Sequence, residues 1–311
     1  MKNYKIYDCF TFFNELDILE IRLNVLDPVV DYFILIEGNK FMNGQQKESL
    51  YLKNKDRYSK FSKKIIHKIV DLPDNFSNLN KIQQPKTFEQ NEINKIIDFI
   101  SVTKHFNRYT EPRFGRSFYI KESPRLLWEN VKEDDVILSS DCDEIPNPEI
   151  LKRLEEFYNI DEFYSFTQTC YYYYLNVLRK SHINNVAHQY PGADPYTGIQ
   201  SSHWKGTKMA SFKLLKDYSL NELRAQPNND ILNGGWHFSY IGGKDAIKHK
   251  LSTGDTQSFD TNIVLDNIEK NLNNLNDVIF NGDKLTKIEI DDTYPNYLLN
   301  NLDKYKHIIK Q

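Results

Sequence analysis

The chain has 311 residues, which predicts one large domain or one domain with a substantial extension. Hydrophobic residues make up 40% and aromatic residues 14%, enough to fill a core and still line a cleft. The formal net charge is -3, which excludes the global basic field of a protein that binds nucleic acid by charge, so no nucleic-acid partner is expected.

The cysteines and the N-terminal segment indicate a reducing compartment. An odd number of cysteines without a CxxC spacing argues against a disulfide framework. The three are Cys9, Cys142 and Cys170. The first apolar run is interrupted by Asn14 and Glu15, unlike a signal peptide, and no window of 18 uncharged apolar residues predicts a membrane span. We therefore expect a cytoplasmic protein.

The first elements in chain order predict an α/β fold. Residues 4–13 are rich in aromatic and β-branched residues and predict a strand, and Asn14 is expected to cap the helix that follows. Residues 31–38 predict a second strand that is apolar throughout, and 63–73 a third. A strand, helix and strand at this spacing predict a right-handed βαβ unit, with a mostly parallel sheet flanked by helices.

The remaining elements follow from apolar periodicity and turn residues. Helices are predicted at 86–104, 117–131 (with Pro124 as a point of kinking), 149–158, 262–275 and 294–309. Strands are predicted at 135–140, 162–178, 208–215 and 233–243, and a loop at 191–198.

Three acids follow the strand at 135–140, within the stretch DDVILSSDCDEIP (134–146). Ligands of parallel sheets bind outside the carboxyl ends of the strands, and residues two apart on an extended chain point to one side. Asp141 and Asp143 are therefore expected to face one cleft, with Glu144 beside them. Such carboxylates suit Mg²⁺ or Mn²⁺, which would neutralise a diphosphate. The alternative is an acidic turn or helix cap without chemistry.

Four blocks of the sequence resemble glycosyltransferase family 17, whose members include a β-1,4-N-acetylglucosaminyltransferase acting on N-glycans. DDVILSSDCDEIP resembles the acidic signature of the family, and NELDILEIRLNVLDPVVDYFILIEGN is similar to its opening segment. NGGWHFSYIGGKDAIKHKL resembles its Gly-Trp-His block, and YPNYLLNNLDKYKHII its C-terminal helix. The blocks occur in the same order, which is far more specific than a DxD motif alone.

This resemblance implies one GT-A domain over 1–311, with a Rossmann-like, mostly parallel sheet. Residues 1–150 would form the nucleotide-sugar half and 151–311 the acceptor half. It also implies an inverting transfer that needs Mn²⁺ or Mg²⁺, with GlcNAc moving from UDP-GlcNAc to a hydroxyl of a glycan acceptor. The sequence leaves open the acceptor, the transferred sugar and the oligomeric state.

Catalytic roles are expected for the three acids. Asp143 lies deepest in the motif and is the expected metal ligand. Asp141 is expected to contact the ribose or sugar of the donor, or the metal through water. For Glu144, contact with the acceptor and capping of the next helix are both open.

The Gly-Trp-His block supplies further candidates for binding the donor. His237 would complete the metal shell or touch the diphosphate, or serve as a hydrogen-bonded structural histidine. Trp236 would stack on a sugar or pack in the core. Lys250 would steady the leaving group or lie on the surface as a solvated charge.

Other donor contacts are expected near the first strands. Asn14 and Glu15 follow strand one, with helix capping as their alternative role. Glu37 ends strand two, with a structural role as its alternative. Arg116 is preferred to Arg125 as a guanidinium that clamps the diphosphate, although either could be a solvated charge.

An inverting transfer needs a base to take the proton of the acceptor hydroxyl, and the sequence does not choose among the carboxylates. The candidates are Glu144, Glu222, Asp230 and Asp255. In the tyrosine run 171–174, two alternate rings could line an acceptor cleft, although core packing explains most of them.

Two other function classes remain open. A nucleotidyltransferase on a similar fold would want a glycine-rich phosphate loop after the first strand, and TFFNELD contains no glycine. A non-catalytic carbohydrate-binding protein would use the aromatic residues but would have no need of an acidic strand end.

Overall fold

The computed structural model of the protein describes residues 4–179, 203–226, 228–255, 262–279 and 285–311. The loop predicted at 191–198 lies outside these ranges. The strands are β1 (Ile6–Thr11), β2 (Tyr32–Gly38), β3 (Ile65–Val70), β4 (Val136–Asp141), β5 (Glu144–Pro146), β6 (Tyr164–Tyr172), β7 (Val177–Arg179), β8 (His203–Ser211), β9 (Asn229–Ile231), β10 (Gly235–Ser239) and β11 (Leu285–Lys287).

The α-helices of the described ranges lie between or after these strands in the chain. They are α1 (Leu16–Leu26), α2 (Leu50–Lys53), α3 (Phe88–Val102), α4 (Pro112–Glu122), α5 (Pro148–Leu151), α6 (Phe212–Leu215), α7 (Leu220–Ala225), α8 (Gly243–Thr253), α9 (Asn262–Asn273) and α10 (Asn296–Leu299). Short 3₁₀ helices cover Lys55–Phe61, Ser123–Leu127, Leu154–Glu156 and Leu302–Ile308. No helix within the described ranges is long and apolar enough to span a membrane.

The strands form one large mixed sheet, in the order β11-β7-β6-β8-β4-β1-β2-β3. The pairs β1–β2, β1–β4 and β2–β3 are parallel, as the βαβ prediction requires. The other half of the sheet is mixed rather than mostly parallel, although β9 and β10 pair parallel with β6. There β8 enters antiparallel between β4 and β6, and β7 and β11 pair antiparallel as well. The α/β fold is confirmed, with a mixed sheet.

Alternate residues of the central strands pack into cores on opposite faces of the sheet. On β2, Phe33 and Leu35 join the core that contains Leu19 of α1. Ile34 and Ile36 join the core on the other face. A strand that is buried on both faces has no polar side to present, which explains its continuous apolar run.

The start of α1 differs from its prediction. Glu15 rather than Asn14 occupies the N-cap position, and its side chain makes no hydrogen bond to the first turn of the helix. The Glu15 carboxylate accepts hydrogen bonds from the backbone N–H groups of Asn14, at 3.0 Å, and Phe13, at 3.3 Å. Asn14 therefore contributes its backbone to this helix start.

Four later elements also differ from the predictions. The helix predicted at 149–158 is wrong beyond its first turn: α5 has four residues, and only Leu151 and Leu154 of its predicted apolar face are fully buried. Residues 212–215 are helical rather than extended, because the Ser211 hydroxyl accepts from the backbone N–H of Leu214. The helix predicted at 117–131 begins earlier, at Pro112, and gives way to a 3₁₀ helix at Ser123. The C-terminal helix is divided in two.

Strand β10 fits between β5 and β6, and Gly235 makes this possible. Its φ of +126° lies in the region that L side chains avoid, and an added Cβ would stand 2.2 Å from the carbonyl oxygen of Ile145. That oxygen belongs to the backbone of β5 and cannot move aside cheaply. Only glycine fits at this position.

Gly235→Ala is expected to lower the free energy of unfolding by about 3 kcal/mol, since backbone strain and a clash with backbone combine. Gly243→Ala is the matched control: its φ is +78°, but no atom lies within 4 Å of the added Cβ. We expect it to cost about 1–2 kcal/mol from strain alone. Urea unfolding of both variants measures the difference, and equal losses would show that the β5 contact is irrelevant.

Candidate active site

The site lies at the carboxyl edge of the sheet, where the strand order reverses. From β1 the chain passes through α1 to β2 on one side, while β4 pairs with β1 on the other. Thr11 and Asp141, the last residues of β1 and β4, are in register, and the Thr11 hydroxyl donates to Asp141 Oδ1 at 3.0 Å. Such a switch point is where open α/β sheets bind ligands.

The three acids stand on a tight turn, residues 141–144, which we call the acid turn. β4 ends at Asp141, the chain turns at Cys142 and Asp143, and Glu144 begins β5. Asp141 and Asp143 therefore do not face one cleft as residues of a single extended strand. The turn gives each carboxylate its own partners.

Arg22 of α1 holds the acid turn from inside the protein. Its Nη1 donates to the carbonyl oxygens of Asp141, Cys142 and Glu144 at 3.1, 3.2 and 2.8 Å. Its Nε donates to Asp8 Oδ2 at 2.8 Å, and both side chains of this ion pair are fully buried. These carbonyl groups thus point inward, to the Arg22 guanidinium, whose positive charge is paired with the carboxylate of Asp8.

Asp143 is 4% exposed and faces two cationic groups. Lys250 Nζ donates to Asp143 Oδ2 at 3.1 Å and to Glu15 Oε1 at 3.0 Å, so one ammonium joins two carboxylates. Burial raises the pKa of Asp143 despite Lys250 and His237. Burial acts in the same direction on Glu15, but there Lys250 outweighs it and lowers the pKa.

His237 lies on β10, where it pairs with Glu144 of β5 and stands beside Asp143. Its Nδ1 lies 3.5 Å from Cys170 Sγ, and its Nε2 lies 3.8 Å from Asp143 Oδ1. Burial lowers the pKa of His237, but Cys170, Asp143 and Glu144 more than offset this and raise it to about 9.

Asp141 and Glu144 share a second group of partners. Lys121 Nζ lies 3.1 Å from Asp141 Oδ2, and Arg224 binds Glu144 Oε1 at 3.0 Å and Asp141 Oδ2 at 3.4 Å. The indole Nε1 of Trp204 donates to Glu144 Oε1 at 2.7 Å. Burial would raise the pKa of Asp141 and of Glu144, but Lys121 and Arg224 lower the first and Arg224 lowers the second.

Of the three predicted metal ligands, Asp143 and His237 lie together, whereas Asp141 has other partners. Asp143 Oδ1 and His237 Nε2 face each other across 3.8 Å, too far for a hydrogen bond, and an oxygen and a nitrogen donor suit Mn²⁺. Asp141 is instead occupied by Thr11, Lys121 and Arg224. Within the described ranges, no group of three or more His, Cys, Asp or Glu side chains is arranged to hold a metal ion. Two of the three predicted ligands therefore lie together, and water and phosphate oxygens would complete the shell.

Several predicted donor contacts lie away from the acid turn. Trp236 is 8% exposed, packs in the core and donates its indole N–H to the Thr293 carbonyl at 3.0 Å. Arg116 donates to the carbonyl oxygens of Met42, Pro73 and Asp74 at 2.8, 3.0 and 2.7 Å, and so anchors two loops. These contacts give both residues structural roles.

Arg125 and Glu37 also have structural partners. Arg125 is fully buried against Glu92 and Glu122, both at 3.2 Å. Glu37 is fully buried and accepts from Lys47 Nζ at 2.6 Å, from the Ser49 hydroxyl, and from two backbone N–H groups at the start of α2. With these partners the carboxylate has no free face for a donor, and we leave Glu37 out of the site.

Because Glu37 is paired while buried, we expect the protein to lose stability in acid. Burial would raise its pKa, but His67 and Lys47 outweigh this and lower it from 4.5 to about 2. A depressed pKa gives stability that is present above pH 4.5 and lost as the pH falls towards 2. Glu37→Gln should therefore cost about 3 kcal/mol at pH 7, and the difference from the natural protein should shrink below pH 4.5.

The control for this measurement is Glu48→Gln, a neighbouring carboxylate whose side chain is 78% exposed. Chemical unfolding of the three proteins between pH 2.5 and 7 compares their free energies. A difference for Glu37→Gln that does not change with pH would contradict the assigned ion pair.

Of the four candidate bases, Glu144 belongs to the cluster around the acid turn. The others have partners elsewhere: Glu222 lies 3.1 Å from His105, Asp230 is 2.9 Å from Lys205, and Asp255 accepts from Ser117 at 2.8 Å. In the tyrosine run, residues 171–173 are buried and Tyr174 is half-buried. Core packing therefore explains three of the four rings.

Sequence reasoning missed five residues that shape the site. They are Thr11, Arg22, Lys121, Trp204 and Arg224. Trp204 and Arg224 lie where the family resemblance is weak, and they reach the acids through the antiparallel strand β8 and the short helix α7. Arg22 lies in the block that resembles the family's opening segment, but no local motif marks the other four.

Comparison with known proteins supports the resemblance over the first third of the chain. Residues 1–105 match the family model of glycosyltransferase family 17, a segment that carries β1 to β3, Glu15 and Arg22. The match implies a glycosyltransferase, and it ends before the acid turn. A search of curated proteins gave no match.

Proposed function

We propose that the protein is an inverting, metal-dependent glycosyltransferase that moves GlcNAc from UDP-GlcNAc to a hydroxyl of a glycan acceptor. The match of residues 1–105 to glycosyltransferase family 17 supports the reaction class, and the family resemblance supports the choice of donor. One observation carries the proposal. Buried acids and cations converge on the acid turn at the switch point of the sheet, where a nucleotide-sugar would bind.

The charge balance of this cluster favours a divalent cation with the donor. The cluster contains four carboxylates, which belong to Glu15, Asp141, Asp143 and Glu144. Facing them are three cations, Lys121, Arg224 and Lys250, whereas His237 has to be neutral to bind a metal ion. A diphosphate would add negative charge to this buried and nearly balanced cluster, which is costly unless a cation enters with it. Asp143 and His237 would hold this cation, which supplies Lewis-acid stabilisation of the leaving diphosphate.

The other side chains would position the reactants. Lys250 orients the diphosphate, because its ammonium group is fixed between Glu15 and Asp143. The acceptor hydroxyl attacks the anomeric carbon from the side opposite the diphosphate and gives its proton to a carboxylate base. The bond to the diphosphate oxygen breaks, the diphosphate leaves with the electron pair, and the configuration inverts. Glu144 accepts from Trp204 and Arg224 and has a lowered pKa, so it acts as a positioning group for these two side chains.

The proposal is tested by thermal unfolding with UDP-, GDP-, CMP- and dTDP-sugars, with nucleoside triphosphates and with glycans, each with Mn²⁺ or with a chelator. At a hundred times its dissociation constant, a bound donor stabilises a fold by roughly 2.7 kcal/mol. We expect UDP-GlcNAc to stabilise the protein with Mn²⁺ and to do so much less with the chelator. Lys250→Met should lose this effect, whereas Lys244→Met, on the same helix but with a 52% exposed side chain, should keep it.

Each alternative result has a distinct meaning. If another nucleotide-sugar stabilises the protein instead, that nucleotide-sugar is the donor, and the protein is still proposed to be a glycosyltransferase. Stabilisation by nucleoside triphosphates instead of nucleotide-sugars would favour a nucleotidyltransferase. If glycans alone stabilise the protein, a carbohydrate-binding protein is the better description and the proposal is wrong.

A further inference from the structure

We propose that Phe13, Phe41 and His249 form the subsite that binds the nucleobase of the donor. The inference deepens the proposed function and rests on it, because it assumes a nucleoside diphosphate as part of the donor. We call these three residues the aromatic cluster.

The aromatic cluster gathers three rings from three separate elements. Phe13 follows the end of β1, Phe41 follows the end of β2, and His249 lies on α8. The ring centroids of Phe13 and Phe41 are 5.4 Å apart, and those of Phe41 and His249 are 5.0 Å apart. Both pairs are edge-to-face, with interplanar angles of 66° and 84°. Phe13 and His249 are 6.0 Å apart.

Exposure distinguishes the aromatic cluster from rings that only fill the core. All three of its residues are half-buried. By contrast, Tyr171 and Phe238, which stack at 5.3 Å, are 3% and 0% exposed. Half-buried rings at the ligand-binding edge of a sheet keep surface on which a planar, apolar ring can pack.

The aromatic cluster adjoins the side chains of the proposed diphosphate site. His249 directly precedes Lys250, which binds Asp143, and Phe13 lies two residues before Glu15, the other partner of Lys250. The Phe13 N–H also donates to the Glu15 carboxylate at 3.3 Å, so the aromatic cluster adjoins the carboxylate that binds Lys250. A base on the rings would place the diphosphate at Lys250 and leave the sugar on the side of Trp204.

The turn that carries Phe41 is held by hydrogen bonds of its backbone. Its N–H donates to the Gln45 carbonyl at 2.8 Å, and the Gly44 N–H donates to the Phe41 carbonyl at 2.9 Å, forming a tight turn. The Met42 N–H binds the Thr253 carbonyl at 2.9 Å, and Arg116 binds the Met42 carbonyl at 2.8 Å. Because these bonds do not involve the ring, removal of the ring should leave the turn in place.

The test compares a ligand that has a base with one that has none. Isothermal titration calorimetry with Mn²⁺ gives the affinities of UDP and of inorganic pyrophosphate for the natural protein, Phe13→Ala and Phe41→Ala. Loss of stacking should weaken UDP binding roughly tenfold in each variant and leave pyrophosphate binding unchanged. Phe157→Ala is the matched control, since Phe157 is 40% exposed and packs edge-to-face on Tyr164. It should bind both ligands normally.

Contrary results separate the inference from the proposed function. If UDP binds the natural protein and both variants equally well, the aromatic cluster is not the base subsite, and the glycosyltransferase proposal stands. If a variant loses UDP and pyrophosphate to the same degree, the rings support the fold of the phosphate site and the inference is wrong. If the natural protein binds neither UDP nor any other nucleoside diphosphate, both proposals fail.

Discussion

Asp143→Asn is expected to reduce sugar transfer by at least about 10³-fold, which corresponds to about 4 kcal/mol of transition-state stabilisation. Asp143 is the buried carboxylate between Lys250 and His237, and the proposed metal-binding role needs its charge. The amide keeps an oxygen that accepts from Lys250, so the variant removes charge with little change of shape. Initial rates with UDP-GlcNAc and a glycan acceptor, measured across Mn²⁺ concentrations, test the expectation.

Asp303→Asn serves as the control for this substitution, because the Asp303 side chain is 92% exposed on the C-terminal 3₁₀ helix. It should transfer sugar at the rate of the natural protein. Thermal unfolding of both variants shows whether the fold is retained. If Asp143→Asn kept more than about a tenth of the activity, less than about 1.4 kcal/mol of catalysis would depend on its charge, contradicting its role.

Arg22→Met is expected to lower the free energy of unfolding by about 3–5 kcal/mol. The substitution leaves the Asp8 carboxylate buried without its partner, and three carbonyl groups of the acid turn lose their donor. Activity should fall as well, since the turn that carries Asp141, Asp143 and Glu144 is no longer held. Urea unfolding gives the loss of stability.

The matched variants are Asp8→Asn and the double variant Asp8→Asn with Arg22→Met. Removal of both charges avoids the isolated carboxylate, so the double variant should be less destabilised than the sum of the single variants by about 1 kcal/mol or more. Strictly additive losses would show that Asp8 and Arg22 do not act as a pair. The activity of the double variant is measured as well. If it stays low, catalysis requires the hydrogen bonds of Arg22 to the acid turn and not only its pairing with Asp8.

The strands of the first half could be predicted from the sequence because each is a local apolar run. β1, β2 and β3 lie within their predicted ranges, and β4 extends one residue beyond its own, to Asp141 at the carboxyl edge. The helix predicted at 149–158 failed because its apolar spacing is not used for burial: Phe157 is 40% exposed. Local periodicity shows which face could be buried, whereas the rest of the fold determines whether it is.

The candidate site could be predicted only in part, for a similar reason. The acids stand in one short stretch, and His237 and Lys250 lie in one recognisable block. Arg224 and Trp204 reach Glu144 only through the packing of α7 and the pairing of β8, which no local pattern encodes. The distribution of partners also depends on the turn at Cys142 and Asp143, which gives Asp141 and Asp143 separate cations.

The insertion of β10 between β5 and β6 has a consequence for the time at which the protein becomes active. His237 pairs with Glu144 and with Cys170, and Lys250 reaches back to Glu15 across 235 positions of the chain. During synthesis the acid turn leaves the ribosome about a hundred residues before the strand that completes it. A nascent chain that has released only β1 to β6 therefore carries its acids without His237 or Lys250. Catalysis has to await translation of α8, and products truncated before it should be inert.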